Sequence, residues 1–82
     1  MNDWMHDVID SLAERTGLDP ASLAISPDDA RTILDVARIA AHASGARTNA
    51  PLLCYALGFA AARGVPLAAT APVVRERDAG GE

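Results

Sequence analysis

Eighty-two residues make one small domain, and a chain this short buries only about 60% of its unfolded surface. The net charge of −4 argues against a nucleic-acid binder. The acidic start MNDWMHDVID lacks a signal peptide's basic flank, and no apolar run approaches the roughly 20 residues of a membrane span.

Half the residues are apolar, but 18 of them are alanine. Alanine favours helix and adds little burial, so the helices must approach closely and a second copy could supply missing core. Every basic residue is arginine, and a GC-rich genome would account for both the arginines and the alanines. The single cysteine, Cys54, rules out an internal disulfide and fits a reducing compartment. A soluble, cytoplasmic protein is expected.

The first predicted helix runs from about Asp3 to Thr16, with Trp4, Val8, Ile9 and Leu12 at helical spacing. Asn2 or Asp3 caps it, and Gly17 is placed as the left-handed residue that ends it. Trp4 reads as a core anchor, an exposed docking side chain being the alternative. Asp3, His6 and Asp10 share a face but lack a dedicated metal-ligand spacing, so no metal site is assigned. Asp19-Pro20 starts a short helical turn.

Ser26-Pro27-Asp28-Asp29 is a second helix start, with Ser26 as the cap and Pro27 as the first helical residue. The second main helix covers about Pro27 to Ser44, with Ala30, Ile33, Leu34, Ala37, Ala40 and Ala41 as its apolar face. Gly45 ends it. Asn49 is the expected cap of the third main helix, which carries Leu52, Leu53, Ala56, Phe59 and Ala60 inward and stops at Gly64. Residues 65–82 read as an apolar arm, VPLAATAPVV, followed by a disordered charged tail, RERDAGGE. The expected fold is all-α: a compact antiparallel bundle of three helices over 1–64, plus a short fourth helical turn.

Polar chemistry concentrates where the second main helix meets the third. His42 lies in a last helical turn, Arg47 in the connection, and the first N–H groups of the next helix point outward. With Asn49 they form a candidate site for an anion, such as a phosphate-containing ligand, or for a protein partner. The alternative is a helix-end histidine bonded to a carbonyl and a solvated arginine. Asp35, Arg38 and His42 share a helix face, as a partner-binding stripe or as an ordinary solvated ion pair. Cys54, near a helix start, reads as a small core residue before it reads as a reactive thiol. No catalytic residue is assigned and no cofactor is implied. An enzyme would need His42 as a base in a cleft, and that reading stands last.

Trp4 and its helix, the segment LDVARIAAH and the segment RTNAPLLCYALGFAAARG resemble a small actinobacterial domain family of uncharacterised function. Ala41-His42, Arg47, Ala50-Pro51-Leu52 and Gly58 are the most specific pieces. Members stand alone or are appended to molybdenum-cofactor guanylyltransferase-like proteins. The resemblance implies a non-catalytic accessory role in molybdopterin guanine dinucleotide biosynthesis, with such an enzyme as partner. It does not imply the transferase chemistry, since the chain has neither the sheet nor the glycine-rich loop a nucleotidyltransferase needs. A homodimeric helical scaffold without a small-molecule ligand, self-associating near Ala56 to Ala62, is the competing expectation.

Overall fold

The computed structural model describes residues 2–80. They are all-helical, with α1 over Asp3–Thr16, α2 over Pro20–Leu23, α3 over Pro27–Ser44, α4 over Asn49–Ala62 and α5 over Leu67–Gly80. The chain divides into two units after Ala30.

In the first unit, local polar groups set the helix ends. The Asn2 side chain accepts from the Met5 N–H at 3.0 Å, and Gly17 closes α1 at φ 75°. A left-handed residue is inexpensive only when it is glycine. Asp19 caps α2 by accepting from the Ala21 N–H at 3.0 Å, and Ser26 caps α3 through the Asp29 N–H at 3.1 Å. α2 lies against the side of α1 that carries His6, Ile9 and Asp10. Ala13 is the buried residue of α1. Trp4 lies half a helical turn away from Ala13, so the expectation of a core tryptophan is corrected: its side chain is 69% exposed. Within this unit α2, four residues long, packs against only part of the fourteen-residue α1.

The second unit is built around Val36 and Ile39 of α3, Leu57 of α4, and Ala71 and Val74 of α5. Leu53, Cys54 and Leu67 pack against this cluster. Here the structure departs from the expected arm and tail, because Leu67–Gly80 is helical. Leu67, Ala71 and Val74 recur at i, i+4 and i+7 and place one face of α5 on the core. Pro72 obscures this periodicity in the sequence. It sits within the first two turns, where the missing N–H forfeits one helical bond and its exposed ring meets no neighbouring helix. The final two residues of the expected tail lie outside the described residues.

Two inward faces also differ from expectation. On α3 the buried residues are Val36, Ile39 and Ala40, and Leu34 is 70% exposed. On α4 the buried residue is Leu57, flanked by Leu53 and Cys54, while Leu52, Ala56 and Phe59 face outward. The helices that form one core are therefore α3, α4 and α5. Val36 and Ile39 are the most deeply buried side chains that α3 brings to this core, and the closest backbone approach in it is between α4 and α5.

Candidate functional site

The connection from α3 to α4 is a tight turn with its own hydrogen bonds. Gly45 adopts φ 74°, and the Ser44 hydroxyl donates back to the Ala40 carbonyl. The Ala46 N–H donates to Ser44 Oγ at 3.3 Å. The Asn49 N–H donates to the Ala46 carbonyl and the Ala50 N–H to the Arg47 carbonyl, each at 3.1 Å. Pro51 has no N–H to offer.

This bonding corrects the expected cap of α4. Asn49 is the first helical residue of α4 rather than its cap; Thr48 occupies the cap position and makes no side-chain capping bond. The outward N–H groups on which an anion site would rest are taken up by turn carbonyls or missing at proline. His42, Arg47 and Asn49 are all exposed. Asn49 lines a groove of about 680 Å³ with Ile39, Ala43, Leu53, Val73 and Arg77 among its walls, and neither His42 nor Arg47 lines it.

Asp35 and Arg38 come together as expected, and a third residue joins them. Arg38 donates to Asp35 Oδ1 at 3.0 Å, and Arg75 of α5 donates to Oδ2 at 3.2 Å. The Arg38 hydrogen bond, followed by that of Arg75, holds the Asp35 carboxyl below the ordinary carboxylate range. His42 takes no part in this cluster. Arg75 had no local signal, since forty residues separate it from Asp35.

Cys54 is half-buried, and burial pushes its thiol above the ordinary 9.0. This is the direction of an inert core cysteine rather than an activated nucleophile. Among the described residues no three His, Cys, Asp or Glu side chains form a metal-holding group. Among the described residues no helix is long and apolar enough to cross a membrane.

The outer face of α4 exposes a stripe of large apolar side chains. Leu52, Tyr55 and Phe59 stand at i, i+3 and i+7, exposed by 68, 70 and 46%. The Tyr55 and Phe59 rings meet edge to face at 5.0 Å, and the Arg63 guanidinium lies 5.1 Å from the Phe59 ring centre. α4 is thus apolar on both faces, yet α3 and α5 cover only one. That signal is present in the sequence as a helix with no polar side.

A protein-family model matches residues 1–80, spanning both units. The chain belongs to that family, described as a domain of unknown function (DUF6457). The match accords with the expectation of a small domain of uncharacterised function. No curated protein and no solved structure matches the chain. Membership of DUF6457 brings no assigned activity, so the chemistry of the site rests on its own geometry.

Proposed function

We propose that this chain is a non-catalytic accessory module that binds a protein partner through the second unit. The outer face of α4 is the docking surface, and the α3–α4 junction is its polar margin. One observation carries this reading: α4 is apolar on both faces and is covered on one. A helix that is hydrophobic all round belongs in an interior, and three large side chains in one stripe form the kind of patch that marks an interaction site. His42, Arg47 and Asn49 are the exposed polar residues of that junction, while Asp35 and Arg38 pair with each other farther back on α3. The partner form of the junction site is preferred to the anion form because the first N–H groups of α4 are already bonded.

The resemblance to domains appended to molybdenum-cofactor guanylyltransferase-like proteins supports such an enzyme as the partner. It would make the module part of molybdopterin guanine dinucleotide biosynthesis, in the cytoplasm. The test is an NMR titration of the folded protein with a purified guanylyltransferase of that class, and separately with GTP and inorganic phosphate. Shifts that saturate at Leu52, Tyr55 and Phe59 with the enzyme, and disappear in Leu52→Asp, are expected. Shifts at Arg47 and the first α4 amides with phosphate alone would favour an anion site instead. No shift with any of the three would remove the proposal.

A homodimeric scaffold is the second reading. Gly58 and Ala62, four residues apart on one side of α4, are both exposed, and nothing outside the local helix backbone lies within 4 Å of where a Gly58 Cβ would stand, so another helix has room to approach there. Light scattering across protein concentration decides it: a constant monomer mass excludes the scaffold.

A further inference from the structure

We infer that the partner segment covering α4 is an amphipathic helix bearing carboxylates beside its apolar stripe. This inference rests on the reading of α4 as a docking surface and adds the chemistry of what docks. Leu52, Tyr55, Phe59 and Arg63 lie along one side of α4. At 1.5 Å per residue this stripe is about 16 Å long, matching three turns of a second helix.

Charge complementarity defines the occupant. Between Asp35 and Glu76 the sequence contains no acidic residue, whereas it contains Arg38, Arg47, Arg63 and Arg75. Arg38 and Arg75 are engaged by Asp35. Arg47, in the turn before α4, and Arg63, at its end, precede and follow the apolar stripe along the chain, and neither has a carboxylate partner among the described residues. Arg63 is held over the Phe59 ring at 5.1 Å, which fixes a planar donor array at the edge of the apolar surface. An incoming carboxylate there gains a paired charge, and an incoming ammonium meets repulsion. An anionic membrane is disfavoured, because the chain carries −4 overall and two arginines supply little surface attraction.

The test uses the full chain and two synthetic helical peptides of about three to four turns with the same leucine stripe, one flanked by Glu and the other by Lys. NMR follows the α4 amides and the Arg63 side-chain N–H. The Glu peptide is expected to shift Leu52, Tyr55, Phe59 and Arg63 saturably and to bind about tenfold tighter than the Lys peptide, a margin typical of a few exposed charge pairs. Arg63→Glu should reverse the preference, and Arg63→Gln should erase much of it with the fold intact by circular dichroism. Equal affinity for both peptides would overturn the acidic-partner inference while leaving the docking surface standing. No α4 shift with either peptide at millimolar concentration would remove both. α4 shifts produced only by phosphatidylserine vesicles, or by raising protein concentration alone, would assign the face to a membrane or to a second copy and overturn the inference.

Discussion

Arg75 of α5 donates to Asp35 of α3 at 3.2 Å, completing a carboxylate that Arg38 already holds from one turn along α3. This contact ties the last helix to the first helix of its unit at the surface, beside the apolar cluster that includes Val36 and Val74. Asp35 therefore titrates below its ordinary 3.8. A carboxyl with a depressed folded pKa contributes stability that is fully present above the unfolded value and is lost as pH falls through the folded one. Carboxyl-carbon NMR of the wild type should find Asp35 titrating below the ordinary aspartate value. Arg75→Ala should raise its pKa part of the way back, with Arg38 retaining the remainder. An unchanged Asp35 titration in Arg75→Ala would show that the contact is not formed in solution.

Core and surface leucine-sized residues on α3 should behave oppositely. Ile39 is buried in the cluster and Leu34 is exposed. Ile39→Ala is expected to cost about 2–4 kcal/mol, enough to unfold much of a domain this small. Leu34→Ala should stay within about 0.5 kcal/mol of wild type. Thermal and urea unfolding by circular dichroism measures both, and a large loss at Leu34 would restore the inward face expected from the sequence.

Helix caps offer a second contrast. Ser26 bonds the Asp29 N–H, so Ser26→Ala should lower stability by about 1 kcal/mol. Asn49 caps nothing, so Asn49→Ala should cost far less than a cap. Equal losses in the two variants, measured by urea unfolding, would mean that Asn49 caps α4 after all.

Cys54 should be a slow nucleophile. Burial raises its pKa, so less thiolate is present at pH 8 than in a free peptide cysteine. Its reaction with a disulfide reagent is expected to be slower in the folded protein than in urea. Faster reaction in the folded state would point to an activating environment at the start of α4.

The bounds of α1 and α3, the Ser26 cap and the helix-ending glycines at 17, 45 and 64 were legible in the sequence, and Asn2 was one of two candidates for the α1 cap. Each depends on contacts within four residues or on the conformational freedom of one residue, so local chemistry determines them. The Asp35–Arg38 pair belongs to the same class. The placement of Trp4, Leu34, Leu52 and Phe59 does not. Each lies on a helix with apolar residues on more than one side, so periodicity alone names two candidate faces and burial selects one only when a neighbour arrives. That neighbour is α5 for α4, through Leu67, Ala71 and Val74. Its helix was hidden by Pro72 and by a charged end that reads as tail. Arg75 reached Asp35, and the outer face of α4 was left open, only because tertiary packing placed α5 on the opposite side. Short-range hydrogen bonds write helix ends into sequence; which apolar face is covered is a property of the assembled unit.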